Sequence, residues 1–243
     1  MPRNHFFSFK SFTVHQNLSA MKVCTDACVF GAWADVEKAM RILDIGTGTG
    51  LLSLMVAQRN EEAGIEGVEI EEGAFRQTQY NFSESPFAGR LTVHRSAVQD
   101  FLPPAPFDCI VTNPPFYQNS LKSPDAKANL AHHSDSLSFA DLLAASDRLL
   151  ETGGRCSVLL PFEESLVFEK LHVPSYWYLT RELVLAHRPG LSPFRRMMTF
   201  RKGIPPVTAV GEVNRELLYI YEENGKNYDS AFKAYLKAYY LGF

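Results

Sequence analysis

The chain has 243 residues, 46% of them apolar, with 24 basic against 27 acidic side chains and a net charge of −3. This length suits a single domain, 1–243, with an ample core. The acidic balance excludes a protein that wraps duplex nucleic acid over a broad basic surface. No apolar run approaches the ~18 residues that cross a membrane, and no signal-peptide core follows Met1. Cys24, Cys28, Cys109 and Cys156 show no paired metal-binding spacing. The reading is a cytoplasmic, reduced, monomeric protein that needs no metal and no membrane.

Residues 1–24 hold Arg3, His5, Lys10, His15 and Lys22, with no acid before Asp26, and interleave Phe6, Phe7, Phe9 and Phe12. They read as an N-terminal arm that packs its phenylalanines on a core of 25–243, leaving the bases to meet phosphates. Strand and helix patterns then alternate. Arg41–Ile45 is a strand, Leu51–Arg59 a helix and Ile65–Ile70 a strand. Glu72–Phe82 is a helix, with strands at Leu91–His94 and Phe107–Thr112. Tyr117–Asp135 is a long polar loop with Lys122, Lys127, His132 and His133. Ser136–Leu150 is an amphipathic helix stopped by Gly153 and Gly154. Arg155–Leu160 is a strand and Glu163–Leu171 a helix. Such alternation predicts an α/β fold with a mostly parallel sheet and helices on both faces. After residue 174 the order changes. Tyr176–His187 and Arg195–Lys202 are strands joined by a turn-rich link, hence antiparallel. Arg215–Tyr221 is a further edge strand, and Asp229–Leu241 is helical.

Asp44-Ile45-Gly46-Thr47-Gly48-Thr49-Gly50 closes the first strand of the alternating part and opens a helix. Ligands of open α/β sheets bind beyond the carboxyl ends of the strands, and glycines there let the backbone approach a ligand closely. The GxGxG spacing lacks the third glycine of a dinucleotide fingerprint and the Gly-Lys-Ser/Thr of a phosphate loop. Glu69 ends the next strand, where a carboxylate can accept from ribose hydroxyls; Glu71 is the weaker candidate.

Asn113-Pro114-Pro115-Phe116 follows Phe107–Thr112. The prolines end the strand and hold the backbone extended, so Asn113 projects at the carboxyl edge of the sheet. An exocyclic amine on an aromatic ring is a poor nucleophile, because its lone pair is delocalised. The Asn113 side-chain oxygen and the Pro114 carbonyl can each accept one of its hydrogens, turning the lone pair toward an electrophile by positioning. Phe116 offers a face on which the base stacks.

The glycine turn resembles motif I of class I methyltransferases, which cradles S-adenosylmethionine. Together with the Asn113–Phe116 tetrad it is similar to the amino-methyltransferases as a group. The blocks Phe9–Gln16, Ala20–Asp26 and Gly31–Ala34, with Lys237–Leu241 near the C-terminus, look like the bacterial tRNA1(Val) adenine-N6 methyltransferase family; that family usually has glycine where Cys24 and Ala27 stand. The resemblance implies a Rossmann-like, seven-stranded sheet with an antiparallel C-terminal strand. It implies S-adenosylmethionine as cofactor, with Asp44, Gly46, Thr47, Gly48, Gly50 and Glu69 around it. Ala97 and Val98 then lie near its adenine, and the arm covers the pocket through Lys22 and Thr25. It implies a tRNA substrate, methylated on the adenine at position 37.

Arg188, Arg195, Arg196, Arg201 and Lys202 fall in one acid-free stretch. With Lys10 they are candidates for phosphate contacts, Arg195, Arg196, Arg188 and Lys10 foremost. Two other readings stay open. The same pocket suits another exocyclic amine or amide, on rRNA guanine N2, DNA adenine N6 or protein glutamine N5. A different class of protein would bind RNA without catalysis, over a vestigial cofactor site.

Overall fold

The computed structural model describes residues 5–114, 137–170, 177–203 and 213–243. A short antiparallel hairpin, β1 (Phe6–Ser8) and β2 (Thr13–His15), precedes α1 (Thr25–Trp33). Then come β3 (Arg41–Ile45), α2 (Leu51–Arg59), β4 (Gly64–Glu69), α3 (Glu72–Ser83), β5 (Leu91–Arg95) and β6 (Phe107–Thr112). The chain continues through α4 (Phe139–Leu149), β7 (Leu150–Pro161), α5 (Phe162–Lys170), β8 (Trp177–Ala186), β9 (Arg195–Lys202), β10 (Asn214–Tyr219) and α6 (Ser230–Leu236). Tyr117–Asp135, Pro115 and Phe116 lie outside the described residues.

β3 through β10 form one sheet in the order β10-β8-β9-β7-β6-β3-β4-β5. Among the described strands, β9 runs antiparallel to both its neighbours, and the other pairings are parallel. The sheet has eight strands rather than seven, because β10 adds at the edge beside β8. Strand side chains alternate between faces. Ile42 therefore joins a core under α1, α2 and α6, while Leu43 and Ile45 join a second core under α4 and α5. Near-continuous apolar strands such as β3 are what a sheet covered on both faces requires.

The glycines expected to stop the helix before β7 lie inside that strand. α4 ends at Leu149, with Leu150 already extended at φ −93° and ψ 133°. Phe107 then pairs with Leu150 and Cys109 with Arg155, so two steps along β6 match five along β7. The extra residues form a bulge that Gly153 turns at φ +86°.

The arm docks through part of its aromatic set, with Phe6 left 50% exposed. Phe9 and Phe12 are buried, with ring centroids 4.6 Å apart. α3 holds the arm: Asn81 Oδ1 accepts from the His15 amide at 2.9 Å, and Gln77 Oε1 from the Leu18 amide at 3.0 Å.

Candidate functional site

At the carboxyl edge of β3, β4, β5 and β6 lies a cavity of about 350 Å³. Its wall takes Gly46, Thr47, Gly48 and Thr49 from the glycine turn, and Glu69, Ile70 and Glu71 from the end of β4. Ser96, Ala97, Val98 and Gln99 come from beyond β5, and Asn113 from the end of β6. The arm supplies Ser19, Ala20, Met21 and Lys22, and the start of α1 supplies Cys24 and Ala27.

The turn is built from the backbone outward. Gly46, Gly48 and Gly50 all have positive φ, at 70°, 61° and 80°. At Gly46 a Cβ would meet nothing within 4 Å, so that backbone lies open to a ligand. Gly50 is different: a Cβ there would come within 2.7 Å of Phe82 Cε1. The start of α2 leaves the Leu51 and Leu52 amides with no intrahelical acceptor.

Asp44 and Gly50 do not line the cavity; they stand behind it. Asp44 is fully buried, and its Oδ2 accepts from Thr47 Oγ1 at 2.7 Å, Ser53 Oγ at 2.7 Å and the Ser53 amide at 3.2 Å. Burial pushes its carboxyl up to about 6, against the pull of those hydrogen bonds and with a further push from Glu69. Its Oδ1 is buried without a hydrogen-bond partner among the described residues. Glu69 bridges two turns: Oε2 accepts from the Gly48 amide and Oε1 from the Glu71 amide, both at 2.9 Å. Glu71 caps α3 instead, accepting from the Gly73 and Ala74 amides, which lower its carboxyl below the usual range.

Ala97 and Val98 reach the cavity, on a turn that Arg148 fastens through Val98 O at 2.9 Å and Phe101 O at 2.8 Å. Beside them Gln99 is an exposed amide on the cavity wall. Sequence reasoning missed it, since no motif marks the residue. Lys22 lines the cavity, but its ammonium folds back on the arm, donating to Gln16 O and to Ser19 O. Thr25 heads α1 and is not on the wall; Cys24 is, with its thiol pushed up to about 12 by burial and by Asp26.

Asn113 stands at the mouth of β6, and its Oδ1 is buried with no hydrogen-bond partner among the described residues. Pro114 is buried beside it. A buried, unpartnered acceptor is costly, and here it sits in the wall of the cavity beyond the glycine turn. The geometry fits a ligand that brings a donor to Asn113 and hydroxyls toward Glu69. Among the described residues no group of three His, Cys, Asp or Glu side chains has metal-binding geometry. No described helix is long and apolar enough to cross a membrane.

The basic stretch does not gather into one patch. β9 carries Arg195 at the Asn113 edge of the sheet and Lys202 at the far edge, roughly 20 Å away along the strand. Arg201 and Lys202 donate there to the carbonyls of Gly153, Asp147 and Leu150. Arg196 corrects the expectation of a phosphate contact. It is 7% exposed, and its guanidinium is held by Glu182 at 2.8 Å and Glu169 at 2.7 Å. Arg195 Nε pairs with Asp26 at 2.6 Å. Lys10 donates to the carbonyls of Lys237 and Phe243, and Arg188 to that of Glu223.

Residues 32–159 match the family model of the methyltransferase small domain. Over 243 residues the chain is 51% identical to a tRNA1(Val) (adenine(37)-N6)-methyltransferase of Dyadobacter fermentans, covering 100% of each chain. It is 36% identical over 235 residues to the protein of the same name in Pseudoalteromonas translucida, covering 97% of this chain and 98% of that one. A solved structure titled as a predicted O-methyltransferase of Agrobacterium tumefaciens matches the fold alone. It has a TM-score of 0.67 at 17% identity, over 88% of this chain and 96% of that one. The architecture is the class I, Rossmann-like methyltransferase fold, and the chain belongs to the tRNA1(Val) (adenine(37)-N6)-methyltransferase family.

Proposed function

We propose that the protein methylates N6 of an adenine in tRNA, the base at position 37 of tRNA1(Val), with S-adenosylmethionine as donor. The observation that carries this reading is the Oδ1 of Asn113, buried in the wall of the cavity with no hydrogen-bond partner among the described residues. When bound, the donor supplies an electrophilic methyl on a sulfonium.

The chain's own residues do the rest. The backbone of Gly46 to Gly48 holds the amino-acid part of the donor, Glu69 accepts from its ribose, and Ala97 and Val98 flank its adenine. Asn113 Oδ1 accepts one hydrogen of the target NH₂ and the Pro114 carbonyl accepts the other, which orients the lone pair without a low-pKa base. Phe116, next in the same motif, offers the target base a stacking face. Residues 1–24 act as an arm over the cavity on a single domain, and the chain works as a monomer in the cytoplasm.

The test is nucleoside mass spectrometry of tRNA treated with the protein and S-adenosylmethionine. Treatment should raise N6-methyladenosine, and Asn113→Ala should lose at least 100-fold in turnover, on the scale of one positioned acceptor, with cofactor affinity within about twofold. No methylated adenosine, or an equal loss of cofactor binding, overturns the reading.

A further inference from the structure

Two strands from Asn113, on the same edge of the sheet, the link between β8 and β9 builds an aromatic stack outside the cavity. His187 follows β8 and Phe194 precedes β9, and their rings lie face to face, with centroids 4.1 Å apart and planes within 4°. The stack is held from beneath. The Phe194 amide donates to Leu185 O at 3.0 Å, and its carbonyl accepts from the Phe162 amide at 3.2 Å. The Arg195 guanidinium lies 5.4 Å from the Phe194 centroid and is ion-paired through Nε to Asp26, in the first turn of α1. The stack is thus tied to the helix whose start walls the cavity.

Phe194 is half-buried while His187 is exposed. An exposed ring with one face covered by a phenyl turns its other face to solvent, which is the surface an unpaired base stacks on. Strand register places it relative to the target base. Thr112 pairs with Val158, and Pro161 with Arg195. Leu185 pairs with Arg195 on the next strand, so His187, two residues beyond Leu185, stands three strands aside and four residues further out than Asn113, about 14 Å across and about 13 Å outward. That offset is wider than one nucleotide step and suits an unpaired nucleotide further along the same loop.

We propose that His187, backed by Phe194, is a stacking platform for an unpaired nucleotide of the same loop, beyond the immediate neighbours of the target adenine. This rests on the tRNA reading above and adds a subsite to it. The test uses the anticodon stem-loop of tRNA1(Val), with 2-aminopurine replacing each unpaired loop nucleotide beyond the immediate neighbours of the target adenine in turn. Wild-type protein should quench one of these probes on binding. His187→Ala should lose that quench and bind about tenfold more weakly, as loss of one base stack requires. Its salt dependence should not change, since no phosphate contact is removed. His187→Phe, which keeps a ring but no polar atom, should restore quench and affinity. Unchanged quench and affinity in His187→Ala overturns the platform, as does a His187→Phe variant that behaves like alanine. If wild-type protein methylates the stem-loop while the platform variants are silent, only the platform falls. If wild-type protein neither binds nor methylates it, the tRNA reading falls as well.

Discussion

Asp44→Asn tests how the glycine turn is held. Asp44 is buried behind the turn, with three donors on Oδ2 and none on Oδ1 among the described residues. Its carboxyl titrates at about 6 in the fold, chiefly because burial disfavours the charge, against about 3.9 in an unfolded chain. The folded state therefore holds its proton more tightly. The resulting stabilisation is complete below about pH 4 and is lost as pH rises through 6, about 3 kcal/mol in all. Between pH 5 and pH 8 the loss is about 1.4 kcal/mol. An asparagine at 44 keeps one oxygen for Thr47 and Ser53 but cannot titrate. Urea unfolding of both proteins at pH 5 and pH 8 isolates this group, because other titrations cancel in the double difference. Wild type should lose about 1.4 kcal/mol relative to the variant on going from pH 5 to pH 8. A double difference of zero, or one in which wild type gains, would refute the argument that burial dominates at Asp44.

Three other substitutions separate the parts of the site. Gly50→Ala forces a side chain into φ +80° and against Phe82 Cε1 at 2.7 Å; left-handed strain and overpacking together should cost about 2–5 kcal/mol in urea unfolding. Arg196→Ala removes one of the two guanidinium partners of buried Glu182, which keeps Arg215 at 2.8 Å, and should destabilise the fold by about 1.5–3 kcal/mol. The slope of RNA affinity against salt should not change, and a shallower slope would return Arg196 to the RNA surface. Asn81→Ala removes the hydrogen bonds from α3 to His15 of the arm and to Thr49 O, and leaves the one from Leu18 to Gln77. Limited proteolysis should then cut within residues 16–24 faster than in wild type, with cofactor affinity falling about tenfold; equal cutting would mean the arm is held elsewhere.

What was legible in the sequence was local. Gly46, Gly48 and Gly50 lie within five residues of one another, and the conformation they require is set by their own backbone. Asn113 could be placed because two prolines must end a strand. The basic surface was not legible, because its outcome depends on partners far along the chain. Arg195 finds Asp26 on α1, and Arg196 finds Glu169 on α5 and Glu182 on β8. A run of bases without nearby acids therefore read as an open patch, although the fold neutralises much of it. Gly153 and Gly154 were misplaced for a similar reason. Paired glycines mark a helix end or a bulge equally well, and only the pairing of β7 with β6 decides.

α3 explains why the N-terminal block and the glycine turn belong to one device. Its Asn81 accepts from the His15 amide, and donates to His15 O and Thr49 O, both at 2.8 Å. One turn away Thr78 Oγ1 donates to Gly48 O at 2.7 Å, and Gln77 holds Leu18. These side chains fasten the arm with one set of bonds and the glycine turn with another, from the same helix. The cavity wall then takes Ser19 to Lys22 from the first and Gly46 to Thr49 from the second. A shift of either element strains bonds shared with the other through Asn81. The arm is thus coupled mechanically to the turn, and substitutions in the arm should alter cofactor affinity even where they touch no cofactor atom.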